Sequence, residues 1–249
     1  MALSAYLGMT NFIMRIGKGH LKYFQEVFPK LKEIDFTELS HEEALAMVRL
    51  NCVEDFKKNM LNGKEKCNII QEAWDEINDE VMIQLSEILN IKWPEDCKVI
   101  DAMMGKTYNS PRYIKERAFT TDIDFQIEGI KNMAIHESCH FLYFEKWKEL
   151  NPNWTEADFE FPSLSWYLSE AIIDPLLNND GFNKFTAYPL TSYEKFYTTK
   201  VGDKSIVETL NDIVANNSIE DTIPKAYSFF QEHETLIRGN DPGAATKRK

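Results

Sequence analysis

Several features that would assign this chain to a common class of protein are missing from its sequence. Its 249 residues contain no run of about 18 apolar residues, so no membrane-spanning helix is predicted. The N-terminal residues lack a basic stretch followed by an apolar run, so no secretory signal peptide is predicted. The four cysteines form no C-x-x-C pair, which is typical of a reduced chain. We therefore expect a cytoplasmic protein.

Basic residues and glycine-rich motifs are also scarce. Lysine and arginine together number 28, against 40 aspartate and glutamate residues, and the net charge is −12. Binding to a phosphate backbone requires a basic surface, so we expect no nucleic-acid partner. No glycine pattern of the Walker or Rossmann type occurs. No membrane partner is expected either.

The most informative feature that is present is the pentapeptide His136-Glu137-Ser138-Cys139-His140. Apolar residues recur around it at helical spacing. A helix advances about 100° per residue, so both histidines project from one face, one turn apart. Two imidazoles so placed can bind one metal ion, and Glu137 beside them can accept a proton. This combination favours hydrolysis by a metal-activated water.

A third candidate ligand, Glu170, lies further along the chain, and Asp174 follows it by one helical turn. The two acids share a face of a helix predicted over about 163–177. Glu170 can ligate the metal, while Asp174 can accept the N–H of a ligating histidine. An acidic pair on a solvated helix face is the alternative. The apolar neighbours of both acids favour a site rather than bulk water.

H-E-x-x-H followed by E-x-x-x-D resembles the gluzincin branch of the zincin metallopeptidases, the thermolysin-like arrangement. The resemblance covers roughly residues 118–174 and rests on the motif residues alone. It implies one Zn²⁺ held by His136, His140 and Glu170. It also implies that Glu137 acts as general base and then acid, and that Asp174 orients a histidine.

The chain departs from the gluzincin pattern in two places. Ser169 stands where an asparagine usually precedes the third ligand, and Pro175 follows Asp174 directly. Proline disfavours helical geometry at the residue before it, so the helix is expected to bend or end there.

Gluzincins stabilise the oxyanion with a downstream tyrosine or histidine, which implies Tyr167 and His233 as the first candidates here. The alternatives that stay open are Tyr188, Tyr193 and Tyr197.

The predicted fold class is α+β, mainly α, with a zincin-like combination of a small mixed sheet and an active-site helix. We expect one catalytic unit over 1–238. It comprises a helical N-terminal region (1–95), the sheet with the motif helix (96–150) and a helical C-terminal subdomain (151–238). Residues 239–249 are predicted to form a disordered tail.

Local signals refine this prediction. Capping boxes are predicted at Ser40-x-x-Glu43, Thr191-x-x-Glu194 and Ser205-x-x-Glu208. Gly63 is expected to separate two N-terminal helices. Residues 99–104 and 113–120 read as strands, and the segment 106–120 is a candidate edge for pairing with an extended peptide. Helices are also predicted over about 191–200, 205–216 and 222–238.

The leading functional prediction is a zinc-dependent metallopeptidase acting on a peptide or protein substrate. The alternative is a non-catalytic zinc-binding protein that keeps a zincin fold for regulation or interaction. Hydrolysis of a non-peptide amide and a helix without metal also stay open. Two histidines and one carboxylate suit iron, manganese or cobalt as well as zinc. The sequence does not predict the oligomeric state.

Overall fold

The computed structural model describes Gln25 and residues 29–36, 39–105, 112–178, 180–186 and 192–239. The chain divides into two units. The first comprises residues up to Glu76 and Ile100–Ile130, and the second comprises Ile77–Val99 and residues from Lys131 onward. Helices predominate over a small mixed sheet, which confirms the α+β, mainly α, class. Among the described residues, no helix has the length and hydropathy needed to cross a bilayer.

The first unit contains one long helix. Helix α1 spans His41–Asp75, after a short 3₁₀ helix at Pro29–Glu33. The predicted capping box at its start is confirmed. The Ser40 hydroxyl accepts the Glu43 N–H, and the Glu43 carboxylate accepts the Ser40 N–H.

The predicted break at Gly63 is wrong, because α1 runs through it. A Cβ atom at this position would lie 3.3 Å from Cδ1 of Ile123, which follows the third strand of the same unit. The glycine therefore permits a close approach to the helix instead of ending it. The helix ends at Asp75, and helix α2 (Asn78–Leu89) begins after a short turn.

The sheet of the first unit has three strands, β1 (Asp101–Gly105), β2 (Arg112–Tyr113) and β3 (Ala118–Asp122). Strand β3 is central, parallel to β1 and antiparallel to β2. The prediction of one strand over 113–120 is wrong, because a turn with Arg117 at a φ of 49° separates β2 from β3. Residues 118–120 are therefore not an edge, and 106–111 lie outside the described residues.

The second unit is mostly helical. Helix α3 (Ile127–Leu150) carries the H-E-x-x-H motif. A 3₁₀ helix at Glu156–Phe159 and a two-stranded hairpin accompany the helices. The remaining elements are α4 (Leu164–Leu177), α5 (Asp180–Asn183), α6 (Glu194–Thr198), β4 (Lys200–Val201), β5 (Lys204–Ser205), α7 (Ile206–Ala215), α8 (Ile219–Glu232) and α9 (Glu234–Arg238).

Each range predicted to be helical in this region contains a helix, but the helix ends differ from the predicted ones. The second capping box is confirmed, since Ser205 Oγ accepts the Glu208 N–H and Glu208 accepts the Ser205 N–H. The helix predicted over 191–200 is the shorter α6, and Thr191, its predicted cap, lies outside the described residues. The helix predicted over 222–238 is two helices that meet at His233. Of the predicted tail, only Gly239 is described.

Helix α4 is the central helix of the second unit. Every residue from Tyr167 to Leu177 is buried, and the helix packs against α7 and α8. A helix that is apolar on all sides is typical of such a core position. The carboxylates of Glu170 and Asp174 are therefore held inside the protein, where a charge needs specific partners.

A buried lysine connects three helices of this unit. Lys146 on α3 has only 1% of its surface exposed, and its ammonium group donates to Glu220 on α8 at 2.7 Å and to Glu149 at 2.9 Å. It also donates to the Asn90 carbonyl at the end of α2, at 3.2 Å. Burial lowers the pKa of Lys146, but these hydrogen bonds raise it by more. The lysine therefore stays charged in the core.

The Lys146–Glu220 pair predicts a pH dependence of stability. Hydrogen bonds from Lys146 and Asn90 lower the pKa of Glu220 from 4.5 to about 2. A carboxylate with a lowered pKa stabilises the fold above pH 4.5, and this contribution is lost as the pH falls towards 2. We expect Glu220→Gln to lower the Tm at neutral pH, and its difference from wild type to narrow over that acidic range.

Thermal unfolding followed by circular dichroism measures both effects. Glu149→Gln is the matched control, because this side chain is 53% exposed and contacts the same ammonium group. It is expected to change the Tm less. A Glu220→Gln difference that does not depend on pH would contradict the assignment.

Candidate metal centre

Helices α3 and α4 bring three metal-ligating side chains together. Their ligand atoms, from His136, His140 and Glu170, all lie within 4.8 Å of one another. Among the described residues, no other group of three His, Cys, Asp or Glu side chains meets this condition. The two Nε2 atoms of the histidines are 3.0 Å apart, and His140 Nε2 is 3.8 Å from Glu170 Oε1. The predicted ligand set therefore converges on one point.

Two of the three ligand separations can be compared with those around a tetrahedral metal ion. Zinc binds imidazole nitrogen and carboxylate oxygen at about 2.0–2.2 Å, so two such ligands around one ion lie about 3.3 Å apart. The observed separations of 3.0 and 3.8 Å lie on either side of this value. The group can hold a metal ion, and the donor types alone do not identify the metal.

The convergence follows from helical geometry on each side. His136 and His140 are four residues apart on α3, and their rings meet edge to face with centroids 4.7 Å apart. The ring of Phe144, one turn further on, stacks on His140 at 6.0 Å. Packing on the aromatic ring limits rotation of the imidazole and keeps its Nε2 directed towards the other ligands.

The ligands are almost completely withdrawn from water. His140 is fully buried, whereas His136 and Glu170 keep 7% and 8% of their surface exposed. Glu137, next to His136, is 4% exposed. Burying carboxylates costs several kcal/mol each unless a partner compensates the charge. A bound cation would offset part of this cost.

Cys139 lies between the two motif histidines and is not one of the converging ligands. It is fully buried, and burial raises the pKa of its thiol strongly. A thiol in this state is a packing group rather than a nucleophile.

Asp174 occupies the predicted position, one turn after Glu170 on α4. The helix does not end at Asp174, because it continues through Pro175 to Leu177, and the expected bend stays a prediction. The Asn178 N–H donates to the Asp174 carbonyl at 2.8 Å, which completes the last turn. Glu170 and Asp174 therefore share a face of one helix.

The carboxylate of Asp174 binds the chain that follows α4. Its Oδ2 accepts the Ser192 N–H at 2.9 Å and the hydroxyl of Tyr197 from α6. Ser192 Oγ also donates to the carbonyl of Glu170, at 2.6 Å. Asp174 thus fixes residues 192–197 to the helix that supplies the third ligand. Its predicted bond to a ligating histidine stays a prediction.

A second polar contact was not anticipated from the sequence. Thr186 Oγ1 donates to Asn132 Oδ1 at 2.7 Å, and both residues are buried. Asn132 lies one turn before His136 on α3. A polar residue four positions before a candidate ligand is a signal for such a supporting contact, but its partner is distant in sequence.

The two first oxyanion candidates have different surroundings. Tyr167 is fully buried, with Lys195 Nζ 4.1 Å from its ring centroid and the Arg238 guanidinium at 5.5 Å. His233 lies at the end of α8, where Nδ1 contacts the Phe229 carbonyl at 3.0 Å. Because a carbonyl only accepts, Nδ1 carries the hydrogen. No described hydrogen bond or ion pair joins His233 to the metal ligands.

The three alternative oxyanion donors, all tyrosines, also differ in their surroundings. The Tyr197 hydroxyl is bound to Asp174, and the Tyr193 ring is about half exposed. Tyr188 lies outside the described residues. The assignment of an oxyanion donor to Tyr167 or His233 therefore stays a prediction.

Removing the Tyr197 hydroxyl should destabilise the protein. A hydrogen bond to a buried carboxylate contributes about 1.5–3 kcal/mol, so we expect Tyr197→Phe to lower the free energy of unfolding by roughly this amount. Denaturant titration measures the change. Tyr193→Phe is the matched control, since it removes the same group from a half-exposed ring. Equal stabilities of the two variants would show that the Asp174 contact contributes nothing.

Similarity to characterised proteins does not assign this site. No family model, no curated protein and no solved structure matches the chain. The chemistry must therefore be argued from the side chains themselves, two imidazoles and a carboxylate with a further carboxylate beside them.

Proposed function

We propose that this protein is a zinc-dependent metallopeptidase with a gluzincin-like site. The observation that carries the proposal is the convergence of His136, His140 and Glu170 from two buried helices. Glu137 adds a carboxylate that can act as a general base, and a purely structural metal site does not need such a group. The order H-E-x-x-H, then E-x-x-x-D, supports a zincin-like arrangement of the motif helix and the third ligand.

Zinc is the metal that we propose for this site. Two histidines one turn apart with a carboxylate form an open three-ligand set of the kind that catalytic zinc sites use. When bound, the ion supplies a water molecule of pKa about 7 and polarises a substrate carbonyl. His136, His140 and Glu170 would hold it, and Phe144 would keep the His140 ring in place.

Glu137 has the central chemical role in this proposal. On α3 it lies to one side of both histidines, about 60° from His140 and about 100° from His136 around the helix axis. Its carboxylate would accept a proton from the attacking water and then pass that proton to the leaving amine. Exclusion of water around a residue that is 4% exposed strengthens its interaction with nearby charges.

A peptide or protein is the proposed substrate, because hydrolysis at a water-activating metal with an adjacent general base is the chemistry of amide cleavage. The net charge of −12 favours neither nucleic acid nor an anionic membrane as partner. The absence of a C-x-x-C pair among four cysteines supports the proposed cytoplasmic location.

One observation favours the alternative of a non-catalytic zinc-binding protein. The three ligands are at most 8% exposed, and such closure is typical of structural metal sites. A substrate must reach the metal in a peptidase but not in a regulatory protein. Zinc binding without hydrolysis of an unfolded protein or a peptide library would favour this alternative.

Metal content tests the ligand set directly. We expect purified wild-type protein to bind about one zinc ion per chain, measured by mass spectrometry after equilibration with zinc and removal of the excess. Glu170→Gln should lower the affinity at least tenfold, because the amide offers no charge to the ion. Glu232→Gln, an exposed carboxylate on α8, is the control and should bind as wild type does. A wild-type protein without zinc would remove the proposal.

Turnover tests the role of Glu137. We expect Glu137→Gln to keep its zinc and to lower kcat by about 10²–10⁴, which is the usual contribution of a general base. Peptide hydrolysis and metal content are measured on the same preparation. Glu145→Gln, further along α3, is the control for the loss of one charge. Undiminished hydrolysis by Glu137→Gln would show that another group activates the water.

A further inference from the structure

Three aromatic side chains form a surface at the start of α4. The ring of Trp166 meets the Phe161 ring edge to face, with centroids 5.2 Å apart, and lies 5.9 Å from the Tyr193 ring. Phe161 and Tyr193 have 47% and 49% of their surfaces exposed. Large apolar side chains exposed together are uncommon on a protein surface and mark binding sites. We refer to Phe161, Trp166 and Tyr193 as the aromatic wall.

The aromatic wall and the candidate metal centre both include a residue of α4. Trp166 precedes Glu170 by one turn of α4, so the two share a face and are about 6 Å apart along the helix axis. Tyr193 is adjacent to Ser192, whose Oγ donates to the Glu170 carbonyl. Trp166 and Tyr193 are thus both connected to the helix that supplies the third ligand.

The ligand group is least deeply buried at Glu170 and His136. These two residues keep slight exposure, whereas His140 and Asp174 have 0% and 1%. A substrate that approaches Glu170 therefore comes within reach of Trp166. Successive residues of an extended peptide are about 3.3 Å apart, so two residues span about the distance between Glu170 and Trp166 along the helix axis. A substrate side chain within two residues of the bond at the metal can therefore reach Trp166.

The wall is supported from beneath. Tyr167, which is fully buried, contacts both the Phe161 ring at 5.9 Å and the Trp166 ring at 5.2 Å. The cations of Lys195 and Arg238 lie over the Tyr167 ring. A rigid aromatic surface loses little conformational entropy when a ligand binds, so its contacts contribute more of their energy to affinity.

We propose that the aromatic wall binds an aromatic side chain of the substrate, close to the scissile peptide bond. This inference rests on the proposed metallopeptidase function and names the class of its substrate. Edge-to-face contacts with three rings favour an aromatic group over a small aliphatic one. Trp166, Phe161 and Tyr193 would therefore determine specificity without taking part in the bond cleavage.

Two metal-binding probes test the proposal on the zinc-loaded full chain. N-acetyl-phenylalanine hydroxamate and N-acetyl-alanine hydroxamate carry the same chelating group and differ only in the side chain. We expect wild type to bind the phenylalanine probe about tenfold more tightly, which corresponds to about 1.4 kcal/mol. The preference should fall to about twofold in Trp166→Ala, and calorimetry measures each affinity.

Trp154→Ala is the matched control. Trp154 is a tryptophan with 37% of its surface exposed, and it contacts a neighbouring aromatic ring, that of Phe159 at 5.4 Å. It lies in the loop before α4, so its removal should leave the tenfold preference unchanged. Phe161→Ala and Tyr193→Ala replace half-exposed residues, and each should reduce the preference even if Trp166→Ala does not fold.

The outcomes separate this inference from the proposed function. Equal binding of both probes by wild type, or a preference that survives in Trp166→Ala, Phe161→Ala and Tyr193→Ala, would overturn the aromatic wall and leave the metal site intact. A wild-type protein that binds neither zinc nor either hydroxamate would overturn both. Loss of the preference in the wall variants, with retention in Trp154→Ala, supports the inference.

Discussion

The burial of ionisable groups inside a helical core is the constraint on which the second unit depends. Helix α4 is fully buried from Tyr167 to Leu177, yet it carries Glu170 and Asp174, and α3 brings His136, Glu137 and His140 to the same region. Apolar residues at these positions would pack at lower cost. The presence of ionisable side chains here therefore indicates that they have a function. Helices α7 and α8 pack against α4 and hold these side chains in place.

The protein compensates buried charge through partners from distant parts of the chain. Lys146 stays charged because Glu220, Glu149 and the Asn90 carbonyl surround its ammonium group. Asp174 is held by Ser192 and Tyr197. At the candidate metal centre, the three converging ligands are placed so that they could bind a cation. The same electrostatic rule thus connects the stability of the second unit with the chemistry proposed for it.

Local signals in the sequence predicted the helices well and the strands less well. The capping boxes at Ser40 and Ser205 mark helix starts correctly, because a cap depends on residues only three positions apart. The helix break predicted at Gly63 was wrong. The small size of this residue permits a close approach of Ile123, which the local sequence does not reveal. The turn at Arg117 was missed because it has no glycine or proline signal.

The sequence by itself determined which side chains can act together on each helix. Four-residue spacing places His136 beside His140 and Glu170 in line with Asp174, because helical geometry is local. Only the tertiary structure decided that the two helices meet, that Asp174 binds Tyr197, and that Trp166, Phe161 and Tyr193 share a surface beside Glu170. These contacts join residues far apart in the chain. They depend on how buried helices pack, which no short sequence pattern encodes.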